Sequence, residues 1–384
     1  MKKIWPFSFY FLYFAALSSF MPFIVLFYQE LRFNGTQIGL LTGIPPLITL
    51  VAAPFWTGLA DATHRHRLIM SVGIAVAVSM VLLLQSLIAF VWIFVAIVLF
   101  NIFLSPVPSL ADSATIAMLG ENRGMYGRLR LGGTIGWGVV APIAGALVEN
   151  YGLKLAFWGF SALMFLNFIV AQNVVHESSS SGPSHNGGVR YFLTNRRWIL
   201  FLLTAFLGGL GSFSAAAYLY PYMAEMGASE SIMGLALTLA TLTELPIFFF
   251  GNHLVKRLTA HRLLILALVF LGIRSLFYAL VGSPSAVLVV QVFGGTIFPA
   301  LWLAGVTYAD EHAPAGLKST AQGLFGAMTF GFGSAVAGFV GGPLLENVGG
   351  RGMFLVFGLI ILGGLVLIEV VRRILPVEEI PQTV

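Results

Sequence analysis

The chain has 384 residues, of which 58% are hydrophobic and only 9% charged, with mean hydropathy +0.93. That composition excludes a soluble globular domain and points to a polytopic membrane protein. The net charge of +5 sits in short basic clusters between apolar runs, which argues for membrane orientation rather than nucleic-acid binding, and the absence of cysteine excludes disulfides and thiol chemistry.

A span needs about 20 apolar residues. The first run, "MKKIWPFSFYFLYFAALSSFMPFIVLFYQE", opens like a signal peptide. It continues too far for one, so an uncleaved first span is expected. Reading on, twelve spans are expected near 5–30, 36–60, 68–90, 91–118, 127–149, 152–174, 197–223, 231–254, 262–282, 284–308, 318–345 and 351–373. Between the sixth and seventh lies the Ser-, Gly- and Pro-rich stretch His176 to Arg197, which reads as a flexible linker. The chain thus divides into an N-terminal six-helix bundle (1–175), a linker (176–197) and a C-terminal six-helix bundle with a short tail (198–384). Arg32, Lys154 and Arg351 fall on one side of the membrane and Arg274 inside a span, leaving 16 of the 20 basic residues on the other side. The positive-inside rule then places both termini and the linker in the cytoplasm.

The two halves repeat at an offset of about 195 residues. "HRLIM" (His66–Met70) matches "HRLLI" (His261–Ile265), and "TIGWG" (Thr134–Gly138) matches "TFGFG" (Thr329–Gly333). "IGLLTG" (Ile38–Gly43) resembles "MGLALT" (Met233–Thr238); with a two-residue slip, "SPVPSLAD" (Ser105–Asp112) matches "FPALWLAG" (Phe298–Gly305). The expected fold is therefore all-α, two pseudo-symmetric six-helix bundles with a site between them, as in alternating-access carriers.

Ionisable residues inside spans are costly, at roughly 2.5–3.5 kcal/mol each, and usually functional. Asp112 in span 4, Arg130 at the start of span 5, Glu244 in span 8 and Arg274 in span 9 stand out. None is repeated in the other half: Asp112 aligns with Gly305, Arg130 with Phe325, Glu244 with Thr49 and Arg274 with Ser79. Asp112 lies one to two turns before the end of a descending helix, and Arg130 in the first turn of the ascending one, so the two can pair. Seven residues on, nearly two turns, Trp137 shares the face of Arg130. A carboxylate, a guanidinium and an indole suit a sugar: the ions bind hydroxyls and the ring stacks on the C–H face. The same set suits a carboxylated aromatic ligand, or a structural ion pair with a packing ring. Glu244 and Arg274, mid-span on consecutive helices, can pair likewise, either as a static bridge or as a carboxyl that loads and releases a proton as its access to water changes.

Two stretches resemble the major facilitator superfamily. "GLADATHRHR" (Gly58–Arg67) resembles its Gly-Asp-Arg loop signature, with His64 where glycine is usual and Ala62 where a basic residue is usual. The resemblance implies that Asp61 caps or pairs across the cytoplasmic helix ends and that Arg65 contacts it or a neighbouring helix. "GRLRLGGTIGWG" resembles the lactose permease group and the nearby phenylpropionate-type permeases. It implies that Arg130 and Trp137 bind and stack on substrate and that Asp112 stands for the family's glutamate. It also implies that Glu244 helps recognise substrate, that Arg274 helps proton coupling, and that Arg128 is an anchor or gate residue. The pattern departs in span 10, where Gly294 and Ile297 replace a histidine and a proton-binding glutamate, and Gln291 replaces a lysine. A proton symporter built this way must therefore use Glu244 or Asp112. The expected protein is a monomeric uptake carrier of a small solute, a sugar or glycoside first, in the cell (inner) membrane, without cofactor and driven by the proton gradient, with uptake of an aromatic acid or nucleoside, or export of drugs or metabolites, as the alternatives. No Walker A pattern occurs to support ATP-driven transport.

Overall fold

The computed structural model describes residues 4–174, 189–314 and 316–374, and they are helical almost throughout. Six helices long and apolar enough to cross a membrane form the N-terminal half: α1 (Ile4–Glu30), α2 (Gly35–Thr63), α3 (His66–Leu84), α4 (Phe90–Leu119), α5 (Tyr126–Tyr151) and α6 (Lys154–Val174). The second half contains α7 (Arg196–Glu225), α8 (Glu230–Leu258), α9 (Ala260–Leu280), α10 (Pro284–His312) and α11 (Lys318–Ile374). At 57 residues, α11 is long enough for two crossings. It breaks at Gly349, whose φ of 67° lies in the left-handed region. The two spans expected at 318–345 and 351–373 lie on either side of that break.

Connections are short, so neighbours in sequence run antiparallel. One face of the bundle carries the ends at Ile4, Val174, Arg196 and Ile374; we call it the terminal face and its opposite the distal face. Large apolar side chains such as Val51 (73% exposed) and Phe293 (73%) lie on the outside, as lipid-facing positions require. Part of the stretch read as a linker is structured. Val189–Thr194 forms a short helix whose Phe192 is buried edge-on against Trp198, because an aromatic side chain beside the first turn of α7 finds an apolar seat there. Residues 176–188 of that stretch lie outside the described residues.

The hydrophobic core shows how the halves meet. One cluster runs through the N-terminal half and on into Tyr218, Met223, Met233 and Phe354 of the other. A second, including Trp198, Leu264, Tyr308 and Phe325, belongs to the terminal-side part of the C-terminal half. The halves share a core distally and keep separate cores at the terminal face. Distally, α2 lies on α11 and α5 on α8, with backbone against backbone at Gly35 and Gly342 and at Gly145 and Glu230. On the terminal side Gly58, Gly127 and Gly323 have open space beside them. The space between the halves is closed distally and opens toward the terminal face.

Candidate functional site

The Gly-rich run after Arg130 brings α1 onto α5. A Cβ at Gly136 would lie 2.2 Å from the Phe11 carbonyl oxygen, so only glycine permits this approach. The contact seats Tyr10 of α1 beside the charges of α4 and α5. Its hydroxyl donates to Asp112 Oδ1 at 2.6 Å, and its ring lies 5.8 Å from the Arg130 guanidinium carbon. Arg130 Nη1 donates to both Asp112 oxygens, at 2.8 and 2.7 Å, and to the Tyr126 hydroxyl at 2.9 Å. The ion pair expected from sequence is present, and a single nitrogen makes it. Nε and Nη2 of Arg130 have no hydrogen-bond partner among the described residues. The Arg130 side chain is 43% exposed and that of Asp112 28%; Arg130 lines the space between the halves, and Asp112 holds it from outside that lining.

That space is a cavity of about 750 Å³, lined by Arg130, Trp137, Glu244 and Arg274 together. Arg130 and Trp137 share a face of α5, as their spacing predicts. Beside Trp137, the Thr238 hydroxyl of α8 donates to the Gly138 carbonyl at 2.9 Å, which locks α8 against α5 and brings Glu244 to the same cavity. Gly295 does the same for α10: a Cβ there would lie 2.1 Å from the Ala240 carbonyl oxygen of α8.

Glu244 and Arg274 share the cavity but do not pair. No N–O contact within 4.0 Å joins them among the described residues. Arg274 Nη1 approaches the Gly294 carbonyl at 3.5 Å, and the guanidinium lies over the Tyr278 ring. Gln291, at the position where the resembling group has a lysine, is a buried structural link. It accepts from the Tyr278 hydroxyl at 2.5 Å and donates to the Ala236 carbonyl. Ser212 Oγ, the Tyr220 hydroxyl and Arg274 Nε also belong to cavity-lining residues and are buried without a partner among the described residues.

The pseudo-symmetric position in the other half is filled differently. Phe325, aligned with Arg130, packs its ring on Gly305, aligned with Asp112; a Cβ at Gly305 would lie 2.1 Å from that ring. An aromatic plug thus occupies the place of the ion pair. The counterpart of Trp137 also differs. Residues Ala327–Gly333 form a π-helix, whose wider turn puts Thr329 and Phe330 on the cavity and leaves Phe332 off it.

The loop after α2 departs from expectation. Asp61 pairs with His66 Nε2 at 2.8 Å rather than with Arg65. The Arg65 side chain is exposed and makes no hydrogen bond or ion pair among the described residues, and His64 just before it turns the chain into the left-handed region. Arg67 instead ties α3 to α6 through Gln172 at 2.7 Å. Arg128 is exposed at the terminal face. Sequence reasoning missed Tyr126, which the i,i+4 spacing to Arg130 signals. It also missed Tyr10, Ser212, Tyr220 and the π-helix, which no local pattern marks.

Two repeated helical halves around a largely apolar cavity that holds Arg130, Glu244 and Arg274, in a chain with this many membrane-long helices, define a solute carrier rather than an enzyme. The chain belongs to the MFS_1 like family, whose model matches residues 4–356. It is 28% identical over 376 residues to the maltose permease of Geobacillus stearothermophilus, covering 97% of this chain and 95% of that one. It is 26% identical over 369 residues to the multidrug resistance protein MdtG of Escherichia fergusonii, covering 91% and 88%. Among solved structures, the nucleoside transporter NupG superposes with a TM-score of 0.80 over 97% of this chain and 99% of that one, at 17% identity, a likeness of fold. The protein is thus a multi-pass transporter of the cell (inner) membrane, as the superfamily resemblance implied.

Proposed function

We propose that the protein takes up a small polar solute, a sugar or glycoside first, by proton-coupled alternating access. The observation that carries this reading is the Asp112–Arg130 pair. It spends one guanidinium nitrogen on the carboxylate and leaves the rest of Arg130 free beside Trp137 and the cavity. Asp112 and Arg130 bind hydroxyls, Trp137 stacks on the ring, and Ser212 and Tyr220 offer further hydroxyls. Glu244 helps bind substrate and carries the proton, and Arg274 modulates it from the same cavity; Asp112 is the second proton candidate. Twelve spans, with α11 crossing twice, put both termini and residues 176–188 in the cytoplasm, and the protein works as a monomer without a cofactor. Asp61, Arg65 and Arg128 border the cytoplasmic opening and act in its closure. The maltose permease relative, matched over nearly its whole length, supports a sugar.

The test is uptake into proteoliposomes of labelled maltose, other sugars, nucleosides and aromatic acids, with and without a pH gradient that is acid outside. Gradient-dependent accumulation of a sugar is expected. Accumulation of an aromatic acid or nucleoside would keep the site and change the cargo, with Arg130 on a carboxylate or base. A second reading, export of amphipathic compounds, rests on the aromatic part of the lining, Phe14, Phe213, Phe298 and Phe330, and on the MdtG relative. Dye efflux from the same vesicles, with no accumulation of any polar solute, would favour it.

A further inference from the structure

The distal closure contains a repeat that the charges of the cavity do not share. "GALVENYG" (residues 145–152) at the end of α5 matches "GPLLENVG" (residues 342–349) in α11, and both end on a glycine of positive φ, Gly152 and Gly349. Their partners also correspond: "NGTQIG" (residues 34–39) opens α2 and "SESIMG" (residues 229–234) opens α8. In each copy the glycine lets the two halves touch at the backbone. A Cβ at Gly145 would lie 2.3 Å from the Glu230 carbonyl oxygen, and one at Gly342 would lie 2.2 Å from that of Gly35. One turn further on, each helix carries a glutamate. Glu149 Oε2 accepts from the Ser231 backbone N–H of α8 at 3.1 Å, and Glu346 Oε2 from the Gly35 backbone N–H of α2 at 2.7 Å.

These are helix caps supplied from the opposite half. The first N–H groups of a helix have no partner within it and carry the positive end of its dipole. Asn34 caps α2 in the ordinary way by accepting from Gln37 N, and Glu346 takes the Gly35 N–H that remains. Both carboxylates are exposed, so no burial holds them in place. Their bonds last only while α5 stays on α8 and α2 on α11. We propose that Glu149 and Glu346 are a pair of latches that hold the distal face shut, and that both must release before the cavity can open to that side. This inference does not depend on what the solute is.

The test needs no ligand and exploits the absence of native cysteine. Thr36→Cys with Asn347→Cys across the α2–α11 latch, and separately Asn150→Cys on α5 with Ala224→Cys at the distal end of α7, place spin labels at exposed sites on the two halves. Double electron–electron resonance on the full chain in nanodiscs then reads the distal opening. The parent proteins should show mainly the short, closed distance. Glu149→Ala and Glu346→Ala should each raise the open population relative to the closed one by roughly two- to five-fold, and together by the product. Because the halves move as bodies, either substitution should lengthen both label pairs. Glu149→Gln and Glu346→Gln, which keep the shape and remove the charge, should act in the same direction. They carry the comparison if the alanine variants lose helical circular dichroism. Unchanged distances in both double variants would overturn the proposal. So would lengthening confined to the pair beside the altered residue, or a parent already open distally.

Discussion

Arg130 carries the most specific expectation at the residue scale. Its Nη1 holds Asp112 and Tyr126 while the rest of the fork stays free, an arrangement a lysine cannot copy. Arg130→Lys should weaken solute binding by roughly ten- to hundred-fold, the worth of a lost charge-assisted hydrogen bond, with helical content unchanged. Binding titration of the purified variant checks this, and wild-type affinity would remove Arg130 from the site. Trp137→Phe should cost a few-fold in affinity and Trp137→Ala on the order of tenfold or more, if the ring stacks on solute. A merely packed ring would move the melting temperature and leave affinity alone. The Asp112–Arg130 pair was legible in the sequence for a physical reason. Depth along two antiparallel helices depends only on the distance of each residue from their shared turn. Tyr10 was not legible, since its bond to Asp112 spans 102 residues and local periodicity does not name a helix's neighbour. Glu244 and Arg274 failed to pair for a related reason: counting along a helix gives height but not the direction a side chain faces.

At the scale of elements, the spans themselves were readable, because a lipid-crossing helix must satisfy its backbone internally and so announces itself by length and apolarity. Expected and observed ends agree within a few residues for most of them. The departures lie where the regular α-helical hydrogen-bond pattern changes within an apolar run: the short 3-10 turn Met21–Phe23 in α1, the interruption at Ser105 in α4, where Pro106 has no N–H to give, and the π-helix Ala327–Gly333 in α11. Hydropathy is blind to these, since residues in a wide or tight turn are as apolar as their neighbours. The glycines divide in a way that composition also hides. Gly136→Leu should force α1 off α5 and destabilise the protein by about 1–3 kcal/mol or more, as overpacking does. It should also pull Tyr10 from Asp112. Gly127→Ala, where no atom lies within 4 Å, should be neutral or stabilising by up to about 1 kcal/mol through helix propensity. Thermal unfolding in detergent would separate the two, and a Gly136→Leu protein as stable as the parent would contradict the packing seen here.

For the whole molecule the question is how two halves turn a binding event into transport. Under the proposed proton coupling, and with no histidine or glutamate in α10 at the positions where the resembling group has them, the carboxyl that loads the proton lies elsewhere. Glu244 shares the cavity with Arg274 and is not locked in an ion pair. Glu244→Gln should therefore still exchange solute at equal concentrations, yet fail to accumulate it when a pH gradient is imposed. Counterflow compared with pH-driven uptake in proteoliposomes checks this. Intact accumulation by Glu244→Gln would pass the role to Asp112, and wild-type transport indifferent to the gradient would indicate a facilitator or another ion.

The plug of Phe325 on Gly305 bears on which way round a solute can lie. A frame built from two copies of one bundle offers two equivalent seats, and a solute that could use both would be held in two poses related by a half-turn. Here one seat keeps its charges and the other is filled by a ring, so the two walls offer different polar groups, Arg130 on one and Glu244 and Arg274 on the other, and the two poses are no longer equivalent. The duplicated carrier is in this sense a keyed socket: under the proposed function, its cargo is expected to lie one way round, with the group that Arg130 binds toward α5.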